Sequence, residues 1–589
     1  MCAIFGLWSE RDELSRLDSA LAHRGPDGAG RFDQGLLHLG HRRLAILDLG
    51  EGGRQPMVCE DGSLVLISNG EIYNHRELRQ RLEAHGQRFK TKTDSEVLLG
   101  CFREWGEDAV HELAGMFALA LWKAKAGELL LIRDPTGVKP LFYVELEDGS
   151  FAFASELRAL LELSGVRREM DAQSLWQYLE FGYCWTDDRT VLKQVRKVPP
   201  GHLIRVRGGR VVSTEAWYRP PRSELSIESP EQLDRKADEL RDVLVQVVEQ
   251  QLDADVPVGL LLSGGLDSSI LAAICASVLK VDIPTFTVGF DGSSQEDLQY
   301  ARLVAGELGC VHREWVLDGA AIVRELRTNV ACFDDLFWDP GLITSLAMFR
   351  WCRSFGIVVA LVGEGADELF GGYSSFSRLG RPQHNDLPPL VGFYRFFRHY
   401  TGLPSGRSLA AALGRIRDIH GRSGDSWYET IRDFELHYQL PNNLNEKLDR
   451  SSMASAVEAR VPYQDPRVTA LGLRVAGGSE LGWGGKTLMK HMAKRHGLLP
   501  ESVIGRPKLG LMMPRAWMVT NRDVRTFAEQ TLLGEGRWAQ RLGLERQLAQ
   551  TLGGGLSGDA TDSDLNLAWR MLILENWSRC MGLADAPLV

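Results

Sequence analysis

The sequence predicts a multidomain α/β protein: an α+β sandwich of antiparallel sheets, then a doubly wound parallel sheet, then a helical C-terminal part. Three observations predict it. Short β-rich runs separated by turn residues fill the first part of the chain. A stretch reading YRPPRSELSIESPE, rich in Pro, Ser and charge, then breaks the pattern. Beyond it, apolar strands alternate with helical patterns, which calls for a parallel sheet covered on both faces. The expected division is 1–217, a linker over 218–231, and 232–589. A chain of 589 residues is too long for one ordinary domain.

Each element has its own signal. The early β-rich runs are Leu64 to Ser68, Met116 to Trp122, Glu128 to Ile132, Leu141 to Val144 and Phe151 to Ala154. After the linker, Leu233, Ala237, Leu240, Leu244, Val247 and Leu252 recur at helical spacing. A strand is expected at Val258 to Leu262, then a Gly-rich turn and a helix near Ser268 to Leu279. A strand at Thr285 to Phe290, a helix near Glu296 to Leu308 and a strand near His312 to Val316 follow. From about Ser374 the chain reads as mainly helical.

Composition excludes several classes. Apolar content of 44% and charged content of 25% are ordinary for a globular protein. The net charge is −10 and the basic residues are scattered, which argues against a nucleic-acid or anionic-membrane surface. The long apolar runs, Val256 to Leu262 and Ile357 to Val362, fall far short of the roughly 20 residues of a membrane span. Met1 to Trp8 lacks the features of a signal peptide. Nine cysteines, an odd count without a CxxC pair, fit a reduced cytoplasm better than a disulfide framework.

Cys2 follows the initiator Met1. Removal of Met1 would leave a cysteine whose own α-amine, with a reference pKa of about 8, can serve as general base. Alone, Cys2 is better read as a small apolar residue starting a strand. Its company decides otherwise: His23-Arg24-Gly25-Pro26-Asp27-Gly28, then Arg42-Arg43-Leu44-Ala45-Ile46, then Asn69-Gly70-Glu71-Ile72-Tyr73-Asn74, then Thr93-Asp94-Ser95-Glu96. Arg133-Asp134-Pro135 and Gly137-Val138-Lys139-Pro140-Leu141 complete the set. In these motifs, over about Cys2 to Ala159, the chain resembles the class II glutamine amidotransferases, with an N-terminal-nucleophile domain. It departs where the family usually reads Arg-Asp-Arg-Phe-Gly.

The resemblance implies a thiolate at Cys2 attacking the glutamine side-chain carbonyl. The oxyanion would be met by the Asn69 amide and the Gly70 N–H, donors worth about 3–4 kcal/mol each in comparable sites. Glycine at 70 allows close backbone approach. Arg43 would fork onto the glutamine α-carboxylate and Asp94 would pair with its α-ammonium. Leu44 and Ile46 would contribute backbone groups, and Glu71 would help position the ligand.

Leu262-Ser263-Gly264-Gly265-Leu266-Asp267-Ser268-Ser269 lies between an apolar strand and a helix. Paired glycines, serine hydroxyls and a helix N-terminus suit an anion. It is neither a Walker A loop nor a nucleophile elbow, since the Gly-Lys-Ser/Thr ending and GxSxG are missing. It looks like the pyrophosphate loop of the ATP-pyrophosphatase superfamily, which cleaves ATP to AMP and pyrophosphate while adenylating an acceptor.

A second strand–loop–helix carries Gly363-Glu364-Gly365-Ala366-Asp367-Glu368. Its acids follow a buried strand and are costly unless they bind something. Mg²⁺ is the natural partner, with Asp267 and Asp367 as ligands and Glu364 nearest the adenylated intermediate. This stretch, Asp449-Arg450-Ser451-Ser452-Met453, Glu458-Ala459-Arg460-Val461-Pro462, Gly485-Lys486 and Arg506-Pro507-Lys508-Leu509-Gly510 resemble the synthetase domain of asparagine synthetases.

Carried over by position, Leu262, Val288, Val362 and Gly363 would frame the adenosine, beside the loop residues Ser263, Gly264, Gly265, Asp267, Ser268 and Ser269. Lys486 would neutralise phosphate charge, with Lys490 one turn on as the alternative. Leu511 stands where the family usually has Phe, and Val362 where it often has Ser.

The resemblance therefore implies a glutamine- and ATP-dependent, Mg²⁺-requiring cytoplasmic enzyme that amidates a carboxylate through an acyl-adenylate. Aspartate is the default acceptor; natural-product carboxylates and cell-surface uronic sugars are the alternatives. A synthetase with a dead first domain conflicts with the intact Cys2, Asn69, Gly70 and Asp94 set. The Ser263 to Ser269 loop conflicts with a sugar-isomerase partner domain, and two catalytic motif sets would be unexplained in a non-catalytic protein. The expected partners are small molecules, with a homodimer left open.

Overall fold

The computed structural model describes residues 2–186, 188–221, 227, 229–292, 295–379, 409–422, 426–475, 485–506, 513–534, 536–554 and 560–588. Met1, linker residues 222–226 and 228, and the motif residues Pro507, Lys508, Leu509, Gly510 and Leu511 lie outside the described residues.

The first part of the chain forms two antiparallel sheets. One runs in the order Arg196–Lys197, Phe142–Glu145, Phe151–Ala154, Ala3–Trp8, Leu37–Arg43, Gly28–Gln34. The other runs Arg210–Ala216, His202–Arg207, Glu128–Arg133, Gly115–Lys123, Leu64–Ile72, Met57–Val58. Alternating side chains on the facing surfaces, among them Ile4, Leu39, Val65, Ile67, Ala118, Leu131 and Phe153, make a common core. Helices His75–Ala84 and Asp94–Trp105 bury Leu78, Leu82, Val97, Leu98 and Phe102 against the outer face of the second sheet. Thr93 caps the second of these helices by accepting the Glu96 N–H, which places Asp94 at its first position.

The second part is built on one parallel sheet in the order His312–Leu317, Thr285–Phe290, Val258–Leu261, Val359–Leu361, Glu458–Arg460. Helix Pro230–Gln251 buries Leu233, Ala237, Leu240, Leu244 and Val247 in the core on one side of this sheet, chiefly against helix Thr487–Arg495. Its entry is set by Ser229, whose hydroxyl accepts the Gln232 N–H, and by Pro230.

Two details differ from the sequence reading. The helix after the Gly-rich turn is α-helical only over Leu266–Ala273 and continues as a π-turn to Val278. The helical remainder contributes a strand, Glu458–Arg460, to the sheet. That strand carries no apolar alternation; its Glu458 and Arg460 are fully buried and paired with each other at 2.6 Å.

The sandwich and the C-terminal helices share one core. Helix Asp562–Cys580 is buried along most of its length. Its Trp569 donates to the Trp338 carbonyl (2.6 Å), Trp577 to the Asp334 carbonyl (3.1 Å), and Arg570 to the Leu179 carbonyl (2.8 Å). Tyr178 donates to the Arg570 carbonyl at 2.8 Å in return.

Candidate functional site

The fold brings the expected residues together in two places. At one end of the sandwich, Cys2 immediately precedes the strand Ala3–Trp8 of the first sheet and Asn69 lies on a strand of the second. The Cys2 N–H donates to Asn69 Oδ1 at 3.1 Å. That leaves the Asn69 Nδ2 group buried with no hydrogen-bond partner, a standing donor beside a thiol. Gly70 has φ +151°, and a Cβ there would lie 2.0 Å from the Met116 carbonyl oxygen, so only glycine fits. Burial pushes the Cys2 thiol up, while the Leu44 N–H works in the opposite direction by donating to sulfur.

Around this pair, the Asp94 carboxylate accepts the Ile72 N–H (3.0 Å) and the Ser95 hydroxyl (3.2 Å). Glu71 is buried, and its Oε1 has no hydrogen-bond partner. Burial, with Asp94 adding to it, holds the Glu71 carboxyl well above the usual range. Arg43 ends the strand Leu37–Arg43, and its guanidinium donates to the carbonyls of Leu47, Asp48 and Gly50. Leu44 and Ile46 are buried on the same segment.

At the carboxyl ends of the parallel strands, where α/β sheets place ligands, lies a cavity of about 490 Å³. Leu262, Ser263, Asp267, Ser268, Val362, Gly363, Glu364 and Asp367 line it. The loop is closed by Ser268, whose hydroxyl accepts the Ser263 N–H at 3.1 Å. Gly264, with φ +68°, lies so near the helix after Thr285–Phe290 that a Cβ would sit 2.6 Å from the Ala301 nitrogen. Gly264, Gly265, Ser269 and Val288 do not line the cavity; Ser269 and Val288 are buried behind it.

Asp267 and Asp367 follow neighbouring strands and converge on one cation. Lys486 Nζ lies 2.5 Å from both Asp267 carboxylate oxygens and 2.7 Å from Asp367 Oδ1. Its backbone sits at φ +61°, left-handed for a non-glycine residue, after Gly485, whose N–H donates to the Gly371 carbonyl at 2.9 Å. Two carboxylates aimed at one positive charge are a donor set that fits Mg²⁺, which takes few carboxylates and completes its shell with phosphate oxygens and water. Lys490 lies one turn further along and takes no part in this contact. Glu368 is turned away, accepting the Tyr373 hydroxyl at 2.5 Å; burial and then Asp367 raise its carboxyl to about 7.

Several polar residues at these places had no role in the sequence reading. Lys447 lines the cavity, 2.8 Å from Glu364 Oε1 and 3.5 Å from Asp339 Oδ2. Burial opposes its charge, but Asp339 and Glu364 outweigh that and raise its pKa. Arg24, fully buried, donates to the Cys2 carbonyl (3.2 Å), to Glu156 (2.8 Å) and, through both terminal nitrogens, to Asp449 (2.7 and 2.9 Å). Arg460 lies 3.4 Å from Glu71, while its backbone carbonyl accepts the Val362 N–H at 2.9 Å. Arg24, Asp449 and Arg460 stood inside quoted motifs, and Lys447 two residues ahead of one. The signal was position in the motif; the partner was not readable.

The chain is similar to known proteins along most of its length. Residues 1–218 match the family described as glutamine amidotransferase domain, and residues 239–579 match the family described as asparagine synthase. Asparagine synthetase [glutamine-hydrolyzing] 1 of Bacillus subtilis is 30% identical over 584 residues, covering 90% of each chain. Asparagine synthetase [glutamine-hydrolyzing] 3 of the same organism is 30% identical over 509 residues, covering 80% of each. The asparagine synthetase of Sandersonia aurantiaca is 34% identical over 386 residues, covering 63% of this chain and 65% of its own.

Proposed function

The chain belongs to the glutamine-hydrolysing asparagine synthetase family, and from that premise we propose that it converts aspartate to asparagine, releasing glutamate, AMP and pyrophosphate. The observation that carries the reading is a cavity at the sheet's carboxyl ends whose loop has backbone and hydroxyl donors but no Walker lysine. The alternative, the same chemistry on another carboxylate, shares everything but the acceptor.

In this reading 1–217 is the glutaminase, 218–231 the linker and 232–589 the synthetase. Cys2, freed of Met1, attacks the glutamine amide carbon; the proton passes from sulfur to the α-amine. The oxyanion is held by Asn69 Nδ2 and the Gly70 N–H. Arg43, Leu44, Ile46, Glu71 and Asp94 hold the backbone end of glutamine. Ammonia leaves, and water then releases glutamate from the thioester.

In the second site Leu262, Val362 and Gly363 frame adenosine, with Val288 packed behind them, while Ser263 and Ser268 cradle the departing pyrophosphate on a loop shaped by Gly264 and Gly265, with Ser269 buried behind it. Asp267 and Asp367 would hold Mg²⁺, which neutralises phosphate charge when bound. Lys486 then turns from these carboxylates to the phosphates. The acceptor carboxylate attacks the α-phosphorus, pyrophosphate leaves, and ammonia displaces AMP from the acyl-adenylate beside Glu364. Shielding from water is essential at that stage, and the helical C-terminal part is the cover. Among the described residues no helix is long and apolar enough to cross a membrane; a cytoplasmic setting is part of the proposal.

Cys2→Ala tests the division of labour. Glutamine hydrolysis should vanish while ammonia-supported amide synthesis persists. Retained glutaminase activity in that variant would sink the assignment of the nucleophile.

A further inference from the structure

Strand Glu458–Arg460 lies at the edge of the parallel sheet beside Val359–Leu361, and both of its charged side chains are fully buried. A buried guanidinium is costly unless its donors are met. Arg460 meets most of them within its own part of the chain. Nε donates to Glu458 Oε1 at 2.6 Å, and Nη1 donates to the carbonyls of Gln251 and Asp253, each at 2.8 Å. These three contacts fix the plane of the fork. The last nitrogen, Nη2, is buried, has no hydrogen-bond partner among the described residues, and lies 3.4 Å from Glu71 Oε2.

Glu71 is the other half of this unfinished contact. It follows Gly70 on the sandwich strand Leu64–Ile72 and is 5% exposed. Its Oε1 also lacks a hydrogen-bond partner among the described residues. Asp94 and Glu458 act on it with like charge, and Arg460 opposes them. Tyr73, two residues on, turns its ring to the same cation, with the guanidinium carbon 5.7 Å from the ring centroid. A charge-assisted N–H···O bond is usually about 2.7–2.9 Å long, so the contact at 3.4 Å is short of closure. The fork is clamped, so Glu71 is the partner that has to turn.

Resting on the glutaminase reading above, we propose that Arg460, supplied by the parallel-sheet part of the chain, is a positioning residue of the glutamine site: it holds the Glu71 carboxylate by Oε2, so that Oε1 is presented to the α-ammonium of glutamine. Arg460 itself does not touch the substrate; it acts through Glu71. The Arg460 carbonyl accepts the N–H of Val362, which lines the cavity at the phosphate loop. One residue therefore joins the order of the glutamine pocket to the backbone beside the other site.

The test uses the full-length enzyme. It reads glutamate release from glutamine and, separately, amide formation from aspartate, ATP, Mg²⁺ and an ammonium salt. Removing the cation outright would leave Glu458 buried and uncompensated, so Arg460→Lys is the main variant: it keeps a charge beside Glu458 and loses the fork toward Glu71. KM for glutamine should rise roughly 10–100-fold with kcat little changed, as loss of a bond that holds the substrate equally in ground and transition states does. Glu71→Gln should have the same effect. The double variant should be no worse than the worse single one, because both remove one interaction. Ammonia-supported synthesis should persist in all three, which reports on folding. An unchanged glutamine KM in Arg460→Lys would overturn the proposal. So would an effect that Glu71→Gln does not share, or losses that multiply in the double variant. Equal losses in both activities would make Arg460 a support of the sheet and overturn it too. A wild type that releases no glutamate would overturn the glutaminase reading itself, and this inference with it.

Discussion

Around Cys2 the unmet groups include the Asn69 amide and one Glu71 carboxylate oxygen, on a backbone fixed by two sheets. Among the described residues, every acid lining the cavity at the phosphate loop except Glu435 faces an ammonium. The first arrangement suits a group that develops negative charge only during reaction: Asn69 Nδ2 is buried without a partner, as the proposed oxyanion donor would be. The second suits a highly charged ligand. Lys486 stands between Asp267 and Asp367, and in the proposed reaction that contact opens for phosphates and a divalent cation to enter. Pre-organisation is therefore achieved by rigid backbone in one region and by exchangeable ion pairs in the other. A buried bridge, Arg24 to Asp449, ties the two: Arg24 holds the Cys2 carbonyl, and Asp449 shares a helix with Lys447 of the cavity.

The largest effect that can break this comparison is at the ion pairs. Asp367→Asn should lower ATP turnover by roughly 10³-fold, with added Mg²⁺ restoring little of it and glutamine hydrolysis unaffected. Turnover at the wild-type rate would reduce the acidic cluster to a helix-terminal feature. Next comes the rigid donor. Asn69→Ala should lower kcat for glutamine by about 10²–10³-fold, leaving ammonia-supported synthesis intact; a change confined to KM would mean that Asn69 merely binds.

The smallest effect sharpens the picture of the rigid site. His41, buried with Nε2 3.3 Å from the Ser68 carbonyl oxygen, has its pKa lowered to about 3 by burial. The folded-state pKa lies below the unfolded value, so the unfolded chain takes up a proton that the folded chain refuses. Stability is then unaffected by His41 above about pH 6.5 and is lost progressively as pH falls from there toward 3, by about 2 kcal/mol at pH 5. His41→Gln should lose that much less between pH 7.5 and pH 5 in urea unfolding. An equal loss in both proteins would show that His41 is hydrated.

Much of this was legible beforehand. Short β-rich runs between turn residues marked the central strands of the sandwich, and apolar runs before glycine-containing turns marked the strands that lead into Ser263 and Gly363. Edge strands were not legible: Gly28–Gln34 is half polar and largely exposed, so nothing buries its alternation. Strand Glu458–Arg460 reads as charged because its burial is paid by ion pairs rather than by apolar side chains. The site was legible where residues sit within one motif and illegible where they meet across the chain. Lys447 with Glu364, Arg24 with Asp449, and Arg460 with Glu71 are joined by tertiary packing, which local spacing does not encode. Glu435 escaped notice because a lone acid in a helical stretch looks like a solvated face until its burial is known.

The central claim is that the second site attacks the α-phosphorus of ATP. Phosphorus NMR of a complete reaction containing ATP, Mg²⁺, glutamine and aspartate tests it most directly. The account predicts AMP and pyrophosphate accumulating together with the amide product. The β-phosphate resonance of ADP with inorganic phosphate, and no pyrophosphate, would contradict the account of the parallel-sheet site from the Ser263 loop onward.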